Sequence, residues 1–126
     1  MIRNSAPSDL SDILTYKKLM AAINIFSETD AVLELQTIRV FIRILQMLAE
    51  RGEEKLLMSE VIQDLDLPQS TGSRNIRYLT LSGSKRTEKA GANWILVSED
   101  PDHMSRKIIT LTGKGKKVAE QLCLII

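Results

Sequence analysis

The chain has 126 residues, 44% of them apolar and 26% charged, with a net charge of +1; this is the profile of one soluble globular domain able to bury a core, not of a disordered chain. Aromatic residues make up only 4%, too few for a surface that stacks single-stranded nucleic acid, and one cysteine, Cys123, excludes an internal disulfide or a multi-cysteine zinc site. The near-neutral total conceals an asymmetry: residues 1–68 hold seven Lys/Arg and eleven Asp/Glu, residues 69–117 ten and four, so the second stretch is the one suited to a polyanionic partner.

Met1 to Ser8 contains Asn4, Ser5, Pro7 and Ser8, reads as an arm, and lacks the apolar core of a secretory signal. No apolar run approaches membrane-spanning length, so no membrane partner is expected and the expected setting is cytoplasmic. From Asp9 to Ser27, Leu10, Ile13, Leu14, Leu19, Met20, Ile23 and Phe26 recur at helical spacing, with Ser8 or Asp9 as a cap. A second helix is expected from Glu34 to Glu50. It carries one apolar stripe at Ile38, Phe41, Ile42, Leu45, Leu48 and Ala49 and another at Val40, Ile44 and Met47. A helix apolar around most of its girth is buried on more than one side, here against its own core and a partner subunit.

Leu56-Leu57-Met58 is a short apolar piece, and Ser59 is the expected N-cap of a helix that places Val61, Ile62 and Leu65 on one face. Asp66-Leu67-Pro68 breaks the chain before another helix, Pro68 to Leu81. Two short helices around such a turn form a helix-turn-helix. At about 100° per residue, Gly72, Ile76 and Leu79 face the core. Ser70, Ser73, Arg74 and Arg77 lie opposite with Tyr78 at their edge, a face able to hydrogen-bond base edges and phosphates.

A polar loop, residues 84–93, carries Lys85, Arg86 and Lys89, each a candidate phosphate contact. Trp94-Ile95-Leu96-Val97 and Lys107-Ile108-Ile109-Thr110-Leu111 read as two strands around a turn containing Asp100-Pro101-Asp102, a hairpin in the position of a wing. Thr112 caps a last helix with an apolar stripe at Val118, Ala119, Leu122, Ile125 and Ile126.

The order helix, helix, short strand, helix-turn-helix, wing, helix resembles the MarR (multiple-antibiotic-resistance regulator) family of winged-helix transcription factors. Three stretches carry the resemblance: Leu33 to Phe41, Ser59 to Leu79 with Gln69-Ser70-Thr71-Gly72-Ser73-Arg74, and Asp100-Pro101 followed by Lys107 to Thr112 and Gly115. It implies a mainly α fold with a small β-hairpin wing, a winged helix-turn-helix domain with flanking dimerisation helices. The chain is then one domain, 1–126: dimerisation and core helices at 9–50, the winged helix-turn-helix at 56–111, and a C-terminal dimerisation helix at 113–126. It further implies a homodimer on pseudo-palindromic duplex DNA, with a small-molecule effector that these residues themselves do not support. The DNA-binding residues are then Gln69, Ser70, Thr71, Ser73, Arg74, Arg77, Tyr78, Lys85, Arg86, Arg106 and Lys107.

Four features depart from the family pattern: Gly72 replaces a branched apolar residue, the 84–93 loop is long, the wing tip is depleted of arginine, and the C-terminal helix is short. These leave open a second reading, an accessory factor of a replication or transcription machine, or a protein-binding scaffold. Other chemistry finds no support. Cys123 in an apolar run reads as a packed thiol rather than a redox sensor. His103 alone makes no triad or metal site, Asp100 and Asp102 read as turn formers, and Gly113-Lys114-Gly115-Lys116 lacks phosphate-loop spacing. No enzyme activity, metal or cofactor is expected.

Overall fold

The structure, a computed structural model, describes residues 10–29, 31–84 and 89–125. In chain order these form α1 (Leu10–Ser27), α2 (Leu35–Arg51), β1 (Lys55–Leu57), α3 (Met58–Asp64), α4 (Gln69–Leu79), β2 (Ile95–Glu99), β3 (Lys107–Leu111) and α5 (Gly113–Ile125). The three strands make one antiparallel sheet in the order β1-β3-β2. The expected caps at Ser8 or Asp9, and Ile126 of the last stripe, lie outside the described residues.

The core gathers on α2. Val40, Phe41, Ile44, Met47 and Leu48 are buried together with Val61 and Ile62 of α3, Ile76 and Leu79 of α4, and Ile95 and Ile109 of the sheet. The two stripes expected on α2 merge into one broad buried face, and Ile42 and Ala49 turn to solvent. Trp94, expected inside a strand, immediately precedes β2 and sits at the centre of the core. Its ring lies 4.9 Å from that of Phe41 and 5.8 Å from that of Phe26, tilted arrangements that add to the area aromatic rings bury. Phe26 thereby anchors the end of α1, while Leu10, Ile13, Leu14, Leu19, Met20 and Ile23 upstream remain exposed.

Two ion pairs fasten α2 to α3. Arg43 grips Asp64 with both Nε (2.7 Å) and Nη2 (3.0 Å), and Arg51 pairs with Glu60. The forked grip of a guanidinium on a carboxylate fixes direction as well as distance. Glu34 opens α2 through a capping box in which its side chain accepts the Thr37 N–H and its own N–H reaches Thr37 Oγ1.

Several local expectations need correction. Leu57, not Ser59, holds the N-cap position of α3, because pairing with Ile108 keeps Leu57 extended until the helix begins. Helix α4 stops at Leu79 rather than Leu81. Its last carbonyls are taken by returning chain: Ala92 N–H donates to Tyr78 O and Trp94 N–H to Leu79 O, while Thr80 N–H closes on Arg77 O. Cys123 is exposed rather than packed, because α5 meets the core through Gly115, Val118 and Leu122 and Cys123 lies off that face. Thr112 does cap α5, its Oγ1 accepting the Gly115 N–H at 3.0 Å.

Candidate nucleic-acid interface

The turn before α4 is built by Asp66, whose φ of 53° lies in the left-handed region that aspartate tolerates better than most residues. Asp66 and Leu67 N–H groups close on Gln63 and Ile62 carbonyls, and Gly72 N–H returns to Pro68 O. Pro68, free of an N–H the helix start would leave unused, then launches α4 at the angle set by α3.

Gly72 decides how closely the two helices approach. A Cβ there would lie 2.6 Å from Cγ1 and 2.8 Å from Cγ2 of Ile62, so the residue permits close packing where a branched side chain would overlap.

On the outer face of α4, Gln69, Ser70 and Arg74 are exposed and Thr71 and Ser73 half-buried. Gln69 Nε2 donates to Ser73 Oγ at 3.2 Å. Arg74 has no carboxylate partner among the described residues, so its guanidinium is available to an outside acceptor. Arg77 instead lines a groove between α4 and β2, with Leu96 and Val97 across from it, and Ser73, at the border of the outer face, and Met58 also line it. Arg77 Nε is buried without a hydrogen-bond partner among the described residues, which ties this side chain to the groove more than to the open face.

Tyr78 is a correction. It is 7% exposed, buried at the end of α4 where its carbonyl accepts the Ala92 N–H, rather than standing at the edge of the outer face. Lys85 and Arg86 lie outside the described residues. Among the described residues on either side, Ser84 N–H donates to Lys89 O and Gly91 N–H to Leu81 O.

The wing is the β2–β3 hairpin, in register from Ile95 opposite Leu111 to Glu99 opposite Lys107. Its turn is organised by Asp100, whose Oδ1 accepts the Asp102 N–H at 3.0 Å and whose N–H donates to Arg106 O at 2.9 Å. The turn-forming role expected of Asp100 holds. Arg106 is exposed and without a carboxylate partner among the described residues, whereas Lys107 faces Glu99 at 3.6 Å. The structure thus gathers Gln69, Ser70, Ser73 and Arg74 on one helix face and sets Arg106 and Lys107 apart, at the far end of the hairpin.

Two residues escaped the sequence reading. Thr37 and Asn75 are both fully buried; Thr37 Oγ1 donates to Asn75 Oδ1 at 2.7 Å, and Asn75 Nδ2 donates to the Thr71 carbonyl at 2.9 Å. The available signal was Asn75's place beside Leu79 on the inward arc of α4. Among the described residues no group of three or more His, Cys, Asp or Glu side chains could hold a metal ion.

No protein-family model matches the sequence, and no curated protein matches it either. Solved structures do. A MepR variant from S. aureus bound to an oligodeoxyribonucleotide aligns with TM-score 0.60 at 19% identity, over 92% of this chain and 72% of that one. A MarR variant from E. coli complexed with operator DNA aligns with TM-score 0.55 at 17% identity, over 92% and 70%. The PcaV transcriptional regulator from Streptomyces coelicolor, in complex with its natural ligand, gives 0.52 at 18%, over 95% and 77%. At such identities the likeness is one of fold, and it spans more than nine-tenths of this chain.

Proposed function

We propose that this chain, which has the winged-helix fold of the MarR-family transcriptional regulators, is itself a regulator that binds duplex DNA as a homodimer at a pseudo-palindromic site. The observation that carries the reading is the outer face of α4. Gln69, Ser70 and Arg74 stand exposed on a helix whose opposite face is locked into the core, the arrangement that lets short polar groups and a guanidinium read a major groove. Ser73, Arg77, Arg106 and Lys107 would position the module on backbone or minor groove, with Lys85 and Arg86 adding phosphate contacts. MarR and MepR, of the same fold, were crystallised with operator DNA and with an oligodeoxyribonucleotide. The solved neighbours are regulators rather than enzymes, and we assign no catalytic role. No described helix is long and apolar enough to cross a membrane, in keeping with a cytoplasmic setting.

Helix α1 supports the homodimer. Its apolar residues point in all directions and, apart from Phe26, none is fully buried, a surface too apolar to leave against water. A second copy packed through α1 and α5 would cover it, and it would place two reading helices about one turn of duplex apart.

One observation favours the second reading, a module for protein contact. The wing carries Glu99, Asp100 and Asp102 against Arg106 and Lys107, with Met104 exposed, an unusual surface to lay against phosphates.

Selection from random duplex DNA, with affinity followed against salt, tests the proposal. A regulator enriches a dyad motif and loses affinity steeply as salt rises. Binding without any enriched motif would sink the regulator reading, and a monomer in solution at micromolar concentration would sink the dimer.

A further inference from the structure

We infer that Thr37 is a specificity-determining positioning residue, which sets the roll of the reading helix through Asn75 without touching DNA. The inference rests on α4 being the reading element, as proposed above.

Helix α4 is held in two ways, by apolar packing and by one buried hydrogen bond to α2. Ile76 and Leu79 pack into the core beside Val40, Phe41 and Ile44, and apolar contact is non-directional, so it resists separation better than rotation. The Thr37–Asn75 hydrogen bond is directional and fully buried. Its orientation follows from chemistry. The Thr71 carbonyl can only accept, so the Asn75 amide nitrogen must face it, and the Asn75 oxygen must face the Thr37 hydroxyl. That hydroxyl in turn accepts the Glu34 N–H. One oxygen therefore joins the first residue of the α2 capping box to the middle of α4, and each group in the chain is satisfied in only one arrangement.

Arg74, the neighbour of Asn75, projects about 100° round the same helix and is exposed where Asn75 is buried. Its guanidinium lies roughly 6 Å or more from the helix axis, so a roll of about 20° carries it about 2 Å. Hydrogen bonds tolerate roughly 0.5 Å. A roll too small to unfold the domain is enough to lose a base contact, while contacts to phosphate survive it because they depend less on direction.

Three variants of the full chain test this: Thr37→Val, Thr37→Ser, and Thr37→Val combined with Asn75→Leu. Two readouts are taken, backbone amide NMR signals of residues 69–79 without DNA and the ratio of affinities for the best selected duplex and a scrambled one. Thr37→Val should displace the amide signals along α4 and lower the affinity ratio by roughly tenfold, the scale of one lost base contact, with scrambled-duplex affinity unchanged. Thr37→Ser should behave as the parent. The double variant, with both polar partners replaced, should regain thermal stability but not selectivity. Unchanged amide signals in Thr37→Val, or selectivity that returns together with stability in the double variant, would overturn the inference. If the parent selects no motif, the regulator reading fails on its own account, the specificity role falls with it, and the amide signals alone decide whether Thr37 positions α4.

Discussion

Gly115 lies directly against the backbone carbonyl of Trp94, with no room between them for a Cβ. The contact is part of a latch. Thr112 N–H donates to Trp94 O, Thr112 Oγ1 donates to Asn93 O at 2.6 Å, and Gly115 N–H donates back to Thr112 Oγ1. The start of α5 is thereby fixed to the base of the wing. Gly115→Ala must push α5 away from a backbone oxygen that has no rotamer to escape into, and should cost about 2–3 kcal/mol. Urea denaturation reads this as a lower midpoint at unchanged slope; an unaltered midpoint would refute the latch.

At Gly72 two effects oppose each other. Alanine gains about 1 kcal/mol of helix propensity over glycine. Against this, the new Cβ overlaps a buried, β-branched Ile62 near its root rather than at a flexible end, and such overpacking costs typically about 1–3 kcal/mol. The overlap should win, so Gly72→Ala is expected to lower stability slightly. A variant more stable than the parent would show that α3 and α4 can part without cost.

The Arg43–Asp64 fork makes a pH prediction. The Arg43 hydrogen bond holds the Asp64 carboxyl below its ordinary value, while Asp64 raises the guanidinium further from titration. A carboxyl lowered on folding adds stability above its unfolded value and loses it as pH falls through the folded one. The melting-temperature gap between the parent and Asp64→Asn should thus be constant near neutrality and narrow once pH drops below about 4. A gap that persists into stronger acid would show that Asp64 contributes through packing alone. Both partners are partly exposed, so salt should shrink the gap as well.

Arg74→Ala and Arg106→Ala should differ in kind. Loss of the first should relax preference at one base position by about 1–3 kcal/mol, whereas loss of the second should weaken all duplexes alike and reduce the salt slope by about one. Competition binding with single-base variants of a selected site separates them. Equal losses on every sequence for Arg74→Ala would remove it from the reading face.

Much of the architecture was legible because apolar periodicity and turn chemistry report local structure directly. Val61, Ile62 and Leu65, the wheel through Gly72, Ile76 and Leu79, the Asp100 turn and the Thr112 cap all emerge as read. What escaped depended on partners distant in sequence. Tyr78 is buried at the helix end to which residues 91–92 return, and Cys123 is exposed although Leu122 beside it packs against the core; neither fact is written in their neighbours. Asn75 illustrates the same limit. A polar residue on an inward arc signals a buried partner, but Thr37 is 38 positions away, and only the fold brings them together.

The latch at Trp94 also bears on which sites two copies could occupy. With α5 bound to the wing's base and packed against α1, each hairpin is an extension of the helices proposed to join the subunits. The gap between the two hairpins would then follow from the splay of those helices, not from bending of the hairpins themselves. Such a pair would accept only spacers of the right length and helical phase. Inserting half a turn of duplex between its half-sites should be more damaging than inserting a whole one.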